Sequence, residues 1–397
     1  MQHRSNRWLR GTLAALSAAT LGFIAACGGG GGNNTTTTET ATAYSQGVIT
    51  GFGSVIVNGV RWDDSAATVL DDDGTAHASS ELKLGMTVEI EGAGFDRSRG
   101  AGRALFVHYG SEMKGPISAV DATASTLTVL GQTVEITTST VFDESISGGI
   151  AGLSAGQVVE VFGLFDATNA RVVATRIELE DSATEYRLRG IVSSLDTTAK
   201  TFMIGTELIS YADTDGVPAS LADGLQVKVG LQTTQVDGAW VATRVRLIGR
   251  SLMDMPEAGV EGVITEFTST TSFAVNGIQV DATNAVFEDG TDGIVLGARV
   301  EVEGSVVDGV LVATKVEIDD ERHHGPKLFE LHGAISNLDT TAQTFSLRGL
   351  TVSYAGEVEF KNGTVDNLVD GARVEVKGTL SDDLTIVNAA RIDFHGD

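Results

Sequence analysis

An internal repeat constrains this 397-residue chain more than any other feature of its sequence. Five segments of the form Gly-x-Ile/Val-Ser/Thr occur with their glycines 68, 75, 72 and 71 residues apart. They lie at 47–50, 115–118, 190–193, 262–265 and 333–336. Because each period of such a chain is one supersecondary unit that packs on its neighbours, the chain from residue 46 onward is predicted to build one small module five times.

Each repeat also carries a strand-like motif, Gly-x-x-Val-Glu-Val/Ile-x-Gly, followed by an Ala-Thr-Arg-Ile/Val motif. The first motif alternates apolar and polar residues with a period of two, which is typical of a strand with one buried face. Its copies lie at 85–92, 156–163, 224–230, 297–304 and 371–378. The third copy departs from the others, since Lys228 stands in the place of the glutamate.

The fourth repeat shows the predicted strands most clearly. Asn276-Gly277 is typical of a two-residue hairpin turn in which both residues need positive φ. The strands are predicted at 260–267, 271–275, 278–281, 299–306 and 310–318. A strand, a hairpin, a loop and a second hairpin follow the order of an OB-type barrel, with a short or missing helix in the loop. A small open sheet or sandwich is the alternative.

The fold class is therefore predicted as all-β, with five tandem, five-stranded, OB-like barrels. About 70 residues is close to the lower limit for an independent core, so neighbouring modules are expected to pack together. The predicted divisions are a signal peptide at 1–26, a lipidated flexible tether at 27–45, and modules at 46–114, 115–187, 188–258, 259–330 and 331–397.

The N-terminus is predicted to direct export. Three arginines precede an uncharged segment at 11–26, which is shorter than the roughly 20 residues that a membrane span needs. The sequence Ile24-Ala25-Ala26-Cys27 resembles the lipobox of bacterial lipoproteins, and Cys27 is the one cysteine of the chain. That resemblance implies cleavage before Cys27 and its acylation, and Gly28 then favours the outer membrane. An ordinary signal peptide with a chance cysteine is the alternative.

The repeated motifs resemble the bacterial domain-of-unknown-function family numbered 5666. The resemblance covers essentially residues 46–397, is strongest in the fourth repeat and is weakest in the first, where Ala104-Leu105-Phe106-Val107 replaces the Ala-Thr-Arg motif. Members of that family are often exported lipoproteins, which agrees with Cys27. The resemblance supplies no catalytic residues.

Composition excludes several functions. The chain has 27 Lys and Arg against 53 Asp and Glu, a net charge of −26, which argues against a nucleic-acid partner because phosphates require excess basic residues. Gly152-Leu153-Ser154-Ala155-Gly156 has the spacing of a nucleophile elbow, but an elbow joins a strand to a helix, whereas this segment precedes a predicted strand. No catalytic residue, metal site or cofactor is predicted.

Two polar runs are interpreted as solvated segments. Asp71-Asp72-Asp73 lacks the spacing of an EF-hand loop, so a turn is predicted, with a weak cation site as the alternative. His323-His324 is predicted to be a linker, because adjacent residues of a strand point to opposite faces. On the fourth and fifth strands of repeat four, the charges of Glu301, Glu303, Lys315 and Glu317 are expected to lie opposite each other on the solvent face.

The function predicted is a non-enzymatic lipoprotein, a binding or structural array held at the outer membrane by the lipid on Cys27. An envelope protein or a glycan is its expected partner. The alternative is a small-molecule or glycan-binding protein that uses loops at the barrel ends. Candidate ligand-binding residues are the basic loop residues Arg97, Arg99 and Arg103, and candidate sugar platforms are Trp62 and Trp240.

Overall fold

The structure, a computed structural model, describes residues 40–96, 98–166, 168–248, 252–319, 327–382 and 384–395. Cys27, the predicted signal and most of the tether, Arg97 and His323-His324 lie outside the described residues. Within these ranges the chain forms 30 strands and three short 3-10 helices, which confirms the all-β class. No helix in the described ranges has the length and apolar character needed to cross a membrane.

The first two modules contain twelve strands. Module 1 has β1 (Ala43–Phe52), β2 (Val55–Val57), β3 (Val60–Asp63), β4 (Thr68–Asp71), β5 (Ala76–His77), β6 (Thr87–Asp96) and β7 (Ala101–Tyr109). Module 2 has β8 (Met113–Asp121), β9 (Thr126–Val129), β10 (Gln132–Phe142), β11 (Val158–Asp166) and β12 (Arg171–Glu180).

The other three modules contain the remaining strands. Module 3 has β13 (Tyr186–Asp196), β14 (Thr201–Ile204), β15 (Glu207–Ser210), β16 (Gln226–Val236) and β17 (Ala239–Leu247). Module 4 has β18 (Met255–Ser269), β19 (Ser272–Val275), β20 (Ile278–Asp281), β21 (Val286–Phe287), β22 (Arg299–Val307) and β23 (Val310–Ile318). Module 5 has β24 (Phe329–Ala334), β25 (Ser336–Asp339), β26 (Thr344–Leu347), β27 (Leu350–Ser353), β28 (Glu359–Lys361), β29 (Arg373–Leu380) and β30 (Ile386–Phe394).

Every module closes five strands into a ring, which confirms the barrel prediction. In module 4, β18 pairs antiparallel with β19 and β22, and β19 pairs antiparallel with β20. The third strand then pairs in parallel with the fifth, and the fifth returns antiparallel to the fourth. The same pairings recur in the other modules. Ring closure pairs most strand edges within the module, and the first half of β1, which pairs with β6 on one edge, pairs with β18 of module 4 on the other.

The repeated motifs are explained by this ring. Along β22, Val300 and Val302 are fully buried in the barrel, and Glu301 and Glu303, which alternate with them, face outward. The last glycine of the motif lies at a bulge between the fourth and fifth strands. A Cβ at Gly304 would lie 2.1 Å from the carbonyl oxygen of Val312, so a larger residue would force the strands apart. This glycine therefore serves barrel closure.

The predicted turns and connections are also present. Asn276 and Gly277 have φ values of 50° and 84°, as a type I′ turn requires. The helix between the third and fourth strands is reduced to single 3-10 turns at Ser79–Glu81, Gly149–Gly152 and Val365–Asn367. In module 4 the first strand begins at Met255, earlier than predicted, because its first half pairs with strands of two modules.

The modules pack together, but not simply in chain order. Strand β1 of module 1 pairs in parallel with β18 of module 4 and with β24 of module 5. Modules 2 and 3 meet through β8 and β13, and their buried side chains form one hydrophobic cluster. Modules 1 and 5 share a second cluster, and module 4 forms a third, to which Tyr44 of module 1 contributes. Module 1 thus contacts modules 4 and 5 through β1 and module 3 through ion pairs, and these contacts are called the hub of the assembly.

Candidate functional site

One outward position of each barrel carries three side chains that lie opposite each other on the first, fourth and fifth strands. The residue on the first strand precedes the opening glycine of the repeat, and the one on the fourth strand is the motif glutamate or its replacement. In modules 1 to 5 the sets are Gln46–Glu89–His108, Lys114–Glu160–Glu178, Arg189–Lys228–Arg246, Glu261–Glu301–Glu317 and His332–Glu375–Asp393. The barrel is constant, whereas the charge of this position changes from module to module.

The sets of modules 1 and 3 line a cleft of about 490 Å³ between the barrels. Its walls carry charges of both signs, because the basic set of module 3 is opposed by acidic side chains of module 1 and by Glu261 of module 4. The charged lining residues are Asp71, Asp72, Asp73, Glu89, Glu112, Arg189, Lys228, Arg246 and Glu261. A second cleft, of about 310 Å³, shares most of this lining and adds Arg187 and Arg244.

The aspartate run of module 1 is neutralised within the protein. Asp72 forms an ion pair with Lys228. Asp73 Oδ1 lies 2.7 Å from Arg244 Nη2, and its Oδ2 lies 3.2 Å from Arg187 Nη2. Asp71 instead accepts the backbone N–H groups of two residues of its own turn and contacts His77. The run is therefore partly a turn and partly the acidic side of an interface between modules.

Glu261 is the most buried acid of the hub, with 3% of the residue exposed. Its Oε2 accepts the backbone N–H of Val48 in module 1 at 3.1 Å, and its Oε1 lies 2.7 Å from Lys327 Nζ and 3.2 Å from Arg299 Nη2. Burial alone would raise the pKa of Glu261, but the two cations overcome it and lower that pKa to about 2. Burial, together with the charge of Glu261, raises the pKa of the neighbouring Asp319.

Glu301 faces a smaller pocket, of about 200 Å³, between modules 1 and 4. Burial and the nearby charge of Glu261 raise the pKa of Glu301 to about 8, so its carboxyl is protonated at neutral pH. Trp62 Nε1 and Asn58 Oδ1, from two residues that also line this pocket, are buried and have no hydrogen-bond partner among the described residues. The pocket thus combines donor and acceptor groups, and Glu257 and Glu303 also line it.

The candidate residues from the sequence lie elsewhere or serve packing. Arg99 stands on the hairpin tip with 81% of its side chain exposed and 3.3 Å from Asp96, and Arg103 is exposed on β7. Neither lines the three clefts. Trp240 is buried and donates its Nε1–H to Glu207 at 2.7 Å, and Trp62 is 1% exposed, so neither presents an open ring face for stacking on a sugar.

The charge pairs predicted in module 4 are present in part. Glu303 lies opposite Lys315, whose Nζ is 3.4 Å from Glu303 Oε1 and 2.6 Å from Glu317 Oε2. Glu301, however, lies opposite two other glutamates, Glu261 and Glu317, and burial together with the charge of Glu261 raises its pKa. Sequence reasoning missed the residue before each opening glycine, although its changing character across the repeats marks the outward position.

A family described as "Domain of unknown function (DUF5666)" matches residues 46–98, 114–178, 261–317 and 332–393, which is more than half of the chain. Module 3 lies outside the matched ranges, although its strands close the same ring. No curated protein matches the chain. Among solved structures, one titled "drosophila Unr CSD456" has 14% identity and a TM-score of 0.14, covering 52% of this chain and 97% of that chain.

Proposed function

The chain belongs to the DUF5666 family, whose description assigns no activity, and from this premise we propose that the protein is a non-enzymatic, lipid-anchored scaffold of the bacterial outer membrane. Cys27 carries the lipid, the residues between it and β1 form the tether, which ends earlier than predicted because residues 43–45 are buried in β1, and the five barrels act as one binding or structural array. The observation that carries this proposal is the contact between modules 1 and 3, in which Lys228, Arg187 and Arg244 of module 3 neutralise Asp72 and Asp73 of module 1.

A scaffold function explains why the charged side chains in the clefts pair with each other across modules. A catalytic site needs one asymmetric set of groups aimed at a shared substrate position. In the clefts described above, the cations of module 3 are instead directed at carboxylates of module 1, at contact distances between side chains. Contacts of this kind fix the relative orientation of the barrels and leave their outer loops available to an envelope partner.

Replacing Cys27 with alanine tests the anchor. Because the lipid would be attached through this thiol and the new amino terminus, the variant is expected to lose lipid labelling and to leave the membrane fraction. The measurement is incorporation of labelled palmitate into the full-length protein, together with membrane fractionation of the producing cells. Protease treatment of intact cells then shows whether the barrels face the medium.

The matched control is Thr36→Ala, which changes one small residue between Cys27 and β1 and leaves Cys27 intact. Wild type and Thr36→Ala should both be labelled and sediment with membranes. Unchanged labelling and fractionation of Cys27→Ala would refute the lipid anchor.

The pocket next to Trp62 favours a second candidate function, the binding of a small neutral, polar molecule. Trp62 Nε1–H and the protonated Glu301 carboxyl can donate hydrogen bonds, and Asn58 Oδ1 can accept one. Phe95 stacks on Trp62 with ring centroids 6.0 Å apart and supplies an apolar wall. Buried polar groups of this kind bind a ligand that completes their hydrogen bonds more tightly than one that leaves them unpaired.

Titration with monosaccharides and small polyols, followed by calorimetry, tests this candidate. We expect saturable binding in wild type, weakening about 10-fold in Trp62→Phe, which keeps an aromatic ring but loses a hydrogen bond worth about 1 kcal/mol or more. Binding should also weaken as the pH rises above about 8, where Glu301 loses its proton. Trp240→Phe is the matched control, and equal affinity in all three proteins would count against the pocket.

A further inference from the structure

We propose that module 5 binds one transition-metal dication of the zinc class through His332, Glu375 and His395. His332 lies on β24 directly opposite Glu375 on β29, and His395 follows the end of β30. One ligand atom from each of the three residues can be chosen so that all lie within 4.8 Å of one another. Two imidazoles and one carboxylate are the protein ligands of many zinc sites that keep a fourth position open.

The distances match those of a shared metal ion. Glu375 Oε2 lies 3.5 Å from His332 Nε2 and 3.6 Å from His395 Nε2. Zinc binds nitrogen and oxygen at about 2.0–2.2 Å in a tetrahedral arrangement, which places neighbouring ligand atoms about 3.4 Å apart. The two rings are nearly parallel, at 12° with centroids 5.8 Å apart, so both edges reach the same carboxylate oxygen without rearranging the strands.

The surrounding charges orient the carboxylates. Lys377 Nζ lies 3.4 Å from Glu375 Oε1, the oxygen that faces away from the imidazoles, and 2.8 Å from Glu330 Oε2. Arg61 also forms an ion pair with Glu330 and lies 3.4 Å from His332 Nε2. Partners that hold the second oxygen of a ligating carboxylate fix its orientation. Glu330 Oε1, which is paired with Arg61, also lies 2.7 Å from His332 Nε2 and orients that ring.

In module 2 a lysine occupies the surface position that His332 occupies in module 5. The ammonium of this residue, Lys114, lies 2.7 Å from Glu160 Oε2 and 3.0 Å from Glu180 Oε1. An ammonium thus supplies the positive charge between the carboxylates of that module. In module 5 the residue at this position is an imidazole, which offers a lone pair to a metal instead.

The test is a titration of the purified full-length protein with Zn²⁺, followed by calorimetry, and with Co²⁺, followed by visible absorption. We expect one ion per chain with micromolar or tighter affinity. Even a residue that only orients a ligand changes affinity by about 10- to 100-fold, so His395→Ala and Glu375→Gln should each weaken binding by more than about 10-fold. His395 has 48% of its side chain exposed, so its loss should leave the barrel folded.

Two controls locate the site. His108→Ala removes an imidazole from the corresponding outward face of module 1 and should not change the affinity. The double variant His323→Ala/His324→Ala removes the adjacent histidines of the sequence and should bind as wild type does. Absence of one-to-one binding in wild type, unchanged affinity in His395→Ala and Glu375→Gln, or loss of binding in the double variant alone would each overturn the proposal.

Discussion

Replacing Lys228 with glutamate is expected to detach module 3 from module 1 while leaving the barrel of module 3 folded. Glutamate occupies this position in the other four modules, so the barrel itself accommodates it. In the assembly, however, the new carboxylate would face Asp72, the present partner of Lys228, close to Asp73. Like charges placed together across an interface cost several kcal/mol when buried. Because Lys228 and Asp72 are partly exposed, we expect a loss of about 1–3 kcal/mol.

The readouts are the urea midpoint of unfolding and the radius of gyration from small-angle X-ray scattering. The Lys228→Glu variant should show a lower midpoint and a larger radius. Added salt should reduce the difference between variant and wild type, because it screens repulsion in the variant and attraction in the wild type.

Charge reversal at the partner separates this effect from a general effect of net charge. The double variant Lys228→Glu/Asp72→Lys restores opposite charges across the interface and should recover most of the lost stability. Lys200→Glu makes the same change at an exposed position in the turn between β13 and β14 and should behave as wild type does. A Lys228→Glu variant with the stability of wild type, or a double variant that does not regain the stability lost in the single variant, would show that the ion pairs do not hold the modules together.

The structure within each module could be predicted from the sequence because its determinants are local. The Asn276-Gly277 turn, the alternation of Val300 and Val302 with polar residues, and the glycine at Gly304 each act over a few residues. Repetition then supplied five independent examples of the same pattern. The strand order followed from the two hairpins and the loop between them.

The arrangement of the modules could not be predicted in the same way. Lys228 was visible as a departure from the repeat, but its partner Asp72 lies 156 residues earlier in the chain. The pairing of β1 with β18 and β24 depends on outward backbone groups, which leave no periodic signal in the sequence. The site of module 5 was missed for a related reason, since His332, Glu375 and His395 meet only when three strands are aligned.

Replacing Glu261 with glutamine is expected to cause a larger loss of stability than Lys228→Glu. The carboxylate accepts the backbone N–H of Val48 and lies between Arg299 and Lys327. Glutamine preserves the shape but removes the negative charge, which leaves two cations without their main partner. Breaking a buried ion pair in this way costs about 3–5 kcal/mol. Asp319 Oδ2, 2.7 Å from Arg299 Nη2, retains one of the cations, so we expect about 3 kcal/mol.

The same residue should govern the stability of the assembly in acid. The pKa of Glu261 is lowered from 4.5 to about 2, so its contribution is complete above about pH 4.5 and is lost as the pH falls from there towards 2. One such group changes the free energy of unfolding by about 1.4 kcal/mol per pH unit within that interval. The difference in stability between wild type and Glu261→Gln should therefore be largest at neutral pH and shrink below pH 4.5.

Glu266→Gln is the matched control for this experiment. Glu266 lies on the same strand but is exposed, and its Oε2 accepts a hydrogen bond from Gln279 Nε2 at 2.9 Å. Chemical denaturation of the three proteins between pH 2 and pH 7 gives the comparison. A constant difference between wild type and Glu261→Gln across that interval would mean that the charge of Glu261 does not stabilise the hub. A loss in Glu266→Gln as large as in Glu261→Gln would assign the effect to β18 as a whole, whereas a normal Glu266→Gln variant ties it to the contact between modules 1 and 4.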